Sequence, residues 1–176
     1  MTQSVVPSLT PKFLSREVAQ RAVDIALKAT IYGPELKDML SRQMCHVVVV
    51  VPSIVDGSSI DFTRMEAELR PHCLYERSVG NPNEWPQDFA NNARSKAVQL
   101  WQDRNDDRTD VIPHLLFSGE RAFWGGVKRR GIVVACSGVQ AYFDKLIAGM
   151  TADLCTALAY HAWMTTKEKS AGGVLE

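Results

Sequence analysis

The stretch Trp124-Gly125-Gly126-Val127-Lys128-Arg129-Arg130-Gly131-Ile132-Val133-Val134-Ala135-Cys136-Ser137-Gly138 decides the fold. Phe123 to Lys128 reads as a strand, Arg129 to Gly131 as a tight turn and Ile132 to Cys136 as a second strand, so the unit is a hairpin. Beyond Ser137-Gly138, the residues Phe143, Ile147, Met150, Leu154 and Leu158 recur at helical spacing and predict a long helix over Ala141 to Met164. Two glycines inside a strand weaken it unless the strand bends or something approaches its backbone. A barrel-like bend and an open patch of main chain facing a ligand both remain open, and the second makes this unit a pocket wall.

Working outward, the apolar run His46 to Val51 points Val47, Val49 and Val51 one way and Val48 and Val50 the other, which calls for apolar cover on both faces and a central strand. Upstream, Ser15 offers helix-start chemistry, Val18, Ala22, Ile25 and Ala29 recur at helical spacing through Thr30, and Gly33-Pro34 stops that helix. A short amphipathic turn follows around Glu35 to Leu40. His72 to Arg77 reads as a short strand before the turn formers Gly80 to Asn83. Phe89, Ala93, Ala97, Leu100 and Trp101 line one face of a middle helix, and Ile112 to Phe117 reads as another strand. Pro52 to Arg70 reads as an inserted turn and short helix, and Asp103 to Asp110 as a solvated loop.

The order helix, strand, strand, helix, three strands, helix favours a mixed α+β fold, an antiparallel sheet of about five strands flanked by helices. The 176 residues fit one domain with an N-terminal extension at 1–14, an insertion at 52–71 and a frayed tail at 167–176. Lys plus Arg equals Asp plus Glu at 20 each, which leaves no net field for phosphate backbones or anionic lipid. No signal-like start or membrane-length apolar run stands out, so the expectation is a cytoplasmic protein that binds neither nucleic acid nor membrane. Cys45, Cys73, Cys136 and Cys155 are far apart among apolar neighbours, which suits buried free thiols. Cys45-His46 and His72-Cys73 are adjacent pairs that point to opposite faces of a strand, so no metal site is expected.

Particular blocks resemble a known family. Ala93-Arg94-Ser95-Lys96-Ala97 is similar to the Ala-x-x-Lys-Ala motif of the GlcG/HbpS/PduO C-terminal family of small haem-associated and metabolite-associated proteins. Gly125-Gly126-Val127, the hairpin and Ser137-Gly138 resemble its Gly-Gly, strand, Val-Ser-Gly block, and Asp144 and Ala148 match its spacing into the last helix. His72 to Gly80 resembles its Gly-His-Leu strand and turn. The resemblance implies a profilin-like fold, assembly as a dimer or higher homo-oligomer, and a small-molecule ligand, with haem as the possible cofactor. The departures are Val50-Val51-Pro52 for the family's Val-Val-Asp, the 52–71 insertion, Lys128 for its proline, and Ala135-Cys136 ahead of Ser137-Gly138.

Each candidate residue carries two readings. Trp124 has a face on which a planar ligand stacks, or it is a core or interface aromatic. Lys96, at the edge of the apolar face of its helix, snorkels to solvent or is held in a pocket as carboxylate binder or base. His72 is a haem ligand, a proton carrier or a surface imidazole, and Arg77 clamps a carboxylate or forms a surface ion pair. Strict alternation sends Tyr75 and Arg77 to one face with Cys73, and His72 to the other with Leu74 and Glu76, unless a bulge intervenes. Ser137-Gly138 presents backbone N–H groups to an anion or merely starts the helix, and Asp144 complements the helix dipole.

Function at this level is a small-molecule-binding protein for haem or a planar organic acid, with Tyr75, Arg77, Trp124, Gly125, Gly126, Ser137 and Asp144 around the ligand. The alternative is a cofactor-independent lyase, isomerase or cyclase acting on a small organic acid or natural product. That reading draws its acid and base from Lys96, His72, His114, Glu76 and Glu120.

Overall fold

Five consecutive valines, Val47–Val51, divide between two hydrophobic cores, and this division organises the molecule. The computed structural model describes residues 8–55, 69–105 and 113–166. Its elements are β1 (Ser8–Leu9), α1 (Arg16–Ala29), β2 (Cys45–Val55), β3 (Leu69–Val79), α2 (Phe89–Trp101), β4 (Gly126–Arg129), β5 (Ile132–Ser137) and α3 (Ala141–Thr165). All strand pairs are antiparallel, with β3 along one edge of β2 and β5 then β4 beyond the other. The fold is α+β, with four substantial strands among the described residues and the two-residue β1 pairing with the far end of β2.

Val47, Val49 and Val51 join Val134 and Cys136 beneath Ala22, Val23 and Leu27 of α1 and Ile147, Ala148 and Ala152 of α3. Val48 and Val50 join Val133 and Ala135 beneath Ala93, Ala97 and Leu100 of α2. A strand covered on both sides reads as a continuous apolar run rather than an alternation, which is what the valines show. The helix starts follow local chemistry. Ser15 Oγ accepts from Val18 N at 3.3 Å to begin α1, and Asp88 Oδ1 accepts from Asn91 N at 3.0 Å to begin α2. The β4–β5 hairpin closes through Arg130 (φ 48°) and Gly131 (φ 84°), two left-handed residues between the paired Arg129 and Ile132. That is the two-residue turn whose twist matches the strands it joins.

Several boundaries differ from the pattern reading. Residues 113–115 form a 3-10 turn instead of a strand, as befits Pro113, whose ring supplies no N–H to a ladder; Val111 and Ile112 lie outside the described residues. β4 begins at Gly126, not Phe123. Pro52–Val55 and Leu69–Arg70 lengthen β2 and β3 in place of an inserted turn, while 56–68, the rest of the expected turn and helix, lies outside the described residues. So do residues 106–110 of the expected loop, the extension up to residue 7, and the tail from 167 onward. Cys45, Cys136 and Cys155 are buried free thiols as expected, but Cys73 is exposed.

The β2–β3 register contains one irregularity that matters. Val49 pairs with Tyr75, and Val50 pairs with Cys73, so Leu74 is an extra residue in a β-bulge. His72, Tyr75 and Arg77 therefore lie opposite Val51, Val49 and Val47 on the α1 side, while Pro71, Cys73 and Glu76 lie opposite Pro52, Val50 and Val48 on the α2 side. Regular alternation grouped Cys73 with Tyr75 and His72 with Glu76; the bulge reverses both pairings. Among the described residues no helix is long and apolar enough to cross a membrane.

Candidate functional site

The glycine block proves to be a packed junction. Lys96 on α2 is 1% exposed, and its Nζ donates to the Cys136 carbonyl at 2.7 Å and to Asp144 Oδ2 at 3.3 Å. Asp144, in the first turn of α3, uses Oδ1 to accept from Val139 N at 3.1 Å. The Cys136 thiol, pushed well up by burial, stands 3.6 Å from the same oxygen. The lysine thus reaches from the helix on one face of the sheet to the helix on the other. Gly125 makes the passage: its φ is +123°, and a Cβ there would stand 2.7 Å from Asp144 Cβ and 3.0 Å from Lys96 Nζ. What approaches this backbone is the protein's own ammonium group.

Gly126 is filled in the same way, since a Cβ would lie 2.6 Å from Leu100 Cδ1. Ser137 is buried at the end of β5, paired with His46 of β2, and the N–H of Val139, just past Gly138, meets the Asp144 carboxylate. The pocket-wall reading of Gly125–Gly138 gives way to a structural tie between the two helical layers.

A half-open cavity of about 550 Å³ lies elsewhere, between α2 and the β2–β3 ribbon. Its floor is Val48, Val50, Ala97 and Val98, and Pro71 and Cys73 from beyond the bulge flank it. Arg16, Glu76 and Arg94 supply the charge. Glu76 accepts two hydrogen bonds from Arg94, from Nε at 3.0 Å and from a terminal nitrogen at 2.7 Å, and this fork holds its carboxyl below the ordinary range. Arg16 donates to the Leu74 carbonyl at 3.1 Å and rests 5.3 Å from the Tyr75 ring centroid. Cys73 is exposed at the surface, but the protein around its thiol shields it in part from water, and this desolvation, with the nearby Glu76 carboxylate, raises the thiol so that it stays protonated at neutral pH.

Behind Glu76 stands His46, 4% exposed, with Nδ1 2.9 Å from Ser78 Oγ and Nε2 3.5 Å from Glu76 Oε2. The second distance is beyond a well-formed hydrogen bond, and among the described residues Nε2 is a buried atom without a hydrogen-bond partner. Burial lowers the His46 pKa against the raising influence of Glu76, which keeps the ring neutral near pH 7. Trp85 meets it edge-on, with centroids 6.2 Å apart.

Of the five expected acid–base residues, Glu76 alone lines this cavity. His72 is half-buried on the α1 side, where Tyr75 lies under Arg16 and Arg77 pairs with Asp24. His114 is exposed in the 3-10 turn. Glu120 is clamped by Arg104 at 2.5 and 2.6 Å, which brings its pKa down to about 2. Trp124 is half-buried ahead of β4. Pattern reading missed His46, Arg94, Arg16 and Cys73. Alternation along the valine run carried a usable signal for His46, which shares a face with Val48 and Val50. Nothing local announced Arg94, which matters because Glu76 on another element meets it. No protein family, curated protein or solved structure matches this chain.

Proposed function

We propose that this chain is a small-molecule-binding protein, in the manner of the GlcG/HbpS proteins its motifs resemble, and that its ligand is a compact planar organic acid held between α2 and the β2–β3 ribbon. The cavity of about 550 Å³ carries the reading, because it joins an apolar floor to two guanidinium groups and one carboxylate, a net positive rim. Sites of this size with apolar walls and a few orienting polar groups are the usual form of small-ligand sites. Haem fits this cavity less well. Its described lining residues include no imidazole or thioether, and Cys73, whose thiol is held protonated, is a poor iron ligand.

Calorimetric titration with benzoate, cinnamate and 2-naphthoate tests the proposal. Affinity should rise with ring size and fall about tenfold on Arg16→Ala or Arg94→Ala, the worth of one charge-assisted hydrogen bond. Absence of binding by all three acids, or binding indifferent to both substitutions and to Val50→Trp, would overturn it.

The alternative, a cofactor-independent lyase, isomerase or cyclase in the same cavity, is favoured by one observation: Glu76 combines a place on the wall with a buried histidine behind it. A cytoplasmic location and self-association belong to the same proposal. The exposed Tyr142, Leu146, Tyr160 and Met164 on one side of α3 supply an apolar stripe for the latter, and light scattering measures the resulting mass.

A further inference from the structure

Ser78 lies exposed on β3, two residues past the cavity wall and directly opposite the buried His46. We propose that Ser78, His46 and Glu76 act as nucleophile, general base and orienting carboxylate in the hydrolysis of small carboxylic esters. This activity goes beyond ligand binding and does not rest on it.

The register His46↔Ser78 sets Oγ 2.9 Å from Nδ1, and Glu76 on the same face sets Oε2 3.5 Å from Nε2. A neutral imidazole has one donor nitrogen and one acceptor nitrogen. Glu76, kept ionised by the Arg94 fork, is an acceptor alone, so it selects the tautomer with hydrogen on Nε2. Nδ1 then presents its lone pair to the Ser78 hydroxyl. The ring nitrogens are exchanged relative to the familiar serine-hydrolase arrangement, but the roles are the same, and such constellations are recognised by geometry rather than by sequence order. Buried imidazole nitrogens are mostly hydrogen-bonded, whereas among the described residues Nε2 has no hydrogen-bond partner. Catalytic contacts of this kind are often long before substrate arrives. A second buried donor without a partner among the described residues, Trp85 Nε1, lies edge-on to His46. It is also 3.8 Å from where Gly80 would carry a Cβ, on the turn that follows Ser78, and is the available donor to an oxyanion.

In the reaction Ser78 Oγ attacks the ester carbonyl carbon as its proton passes to Nδ1. Collapse of the tetrahedral adduct breaks the bond to the alcohol oxygen, which takes that proton. Water then attacks the acyl-serine through the same base, releasing the acid and restoring the hydroxyl. The apolar part of the ester lies on Val48, Val50 and Ala97. Glu76 is a positioning residue that acts through His46.

The full chain, incubated with a fluorophosphonate probe and with p-nitrophenyl butyrate, tests this. Mass spectrometry should find the phosphonate on Ser78, and Ser78→Ala should abolish both labelling and ester turnover. His46→Gln should slow labelling about a hundredfold, the lower range for a general base. Glu76→Gln should slow it less, with Glu76→Asp restoring part of the rate. For the wild-type chain, the labelling rate should climb with pH to a plateau with its midpoint below 6.5, because His46, surrounded by Glu76, Arg94 and Asp88, deprotonates below its ordinary value. No adduct on Ser78 in the folded wild-type chain, or a labelling rate flat across that pH range, overturns the proposal even where a His46 variant does not fold.

Discussion

Replacing Asp144 with alanine is the sharpest probe of the junction between the two helical layers. Lys96 Nζ would keep the Cys136 carbonyl at 2.7 Å and lose the carboxylate at 3.3 Å, with 1% of the residue exposed to water. Removing one partner of a buried ion pair leaves an uncompensated charge and costs about 3–5 kcal/mol. Val139 N–H, which donates to Asp144 Oδ1 at 3.1 Å, also loses its acceptor, adding about 1 kcal/mol. The total, about 4–6 kcal/mol, converts for a chain of this size into a melting temperature lower by roughly 10–20 °C. Urea unfolding followed by tryptophan fluorescence measures the free energy directly. Lys96→Met/Asp144→Ala is the critical companion, because it removes both charges and should recover at least about 2 kcal/mol relative to the sum of the single changes. A loss below about 1 kcal/mol for Asp144→Ala, or strict additivity in the double variant, would refute the buried pair.

Three further outcomes follow from the same geometry. Gly125→Ala should cost about 2 kcal/mol or more in urea unfolding, since φ +123° strains an L-residue and its Cβ meets Asp144 at 2.7 Å; full stability would contradict the lysine passage. Burial holds His46 below its ordinary 6.5, so the unfolded chain binds the extra proton as pH falls through that value. The associated stability is intact above 6.5 and is lost as pH drops toward the folded value, and thermal melts of His46→Gln between about pH 7 and pH 5 should show a shallower slope than the wild type. Iodoacetamide should modify native chain first at Cys73, faster at alkaline pH because burial raises that thiol, and bound naphthoate should protect it. Earlier labelling of Cys45, Cys136 or Cys155 would contradict the burial pattern.

Much of the architecture was legible because it follows from periodicity. The valine run announced a strand covered on both faces, helical spacing bounded Phe89–Trp101 and came within one residue of both ends of α1 and the C-terminal end of α3, and Arg130-Gly131 announced a tight hairpin. The errors have physical causes. Ile112 to Phe117 looked like a strand by apolar content although Pro113 sits within it, and a bulge has no signature in the residues of β3 taken alone. The glycine block was read as either a bend or an open patch facing a ligand, and a glycine does not say what approaches it. That required α2 and α3 to be placed on opposite faces, a long-range fact. The cavity was illegible for the same reason, since Arg16, Glu76 and Arg94 come from three separate elements and only Glu76 stood out beforehand.

The bulge at Leu74 has a consequence for how this fold diversifies. Residues 69–73 are held one step out of phase with the rest of β3, so a slip that irons out the bulge would set Leu74 opposite Val50 in place of Cys73 and His72 opposite Pro52 in place of Pro71, turning the thiol away from the cavity and an imidazole toward it while leaving Tyr75 to Val79 in place. Descendants of one scaffold could therefore trade a sulfur wall for a nitrogen wall through a single phase error, without altering any residue of the valine core. The ligand chemistry of such a protein is set by the count of residues along an edge strand as much as by their identity.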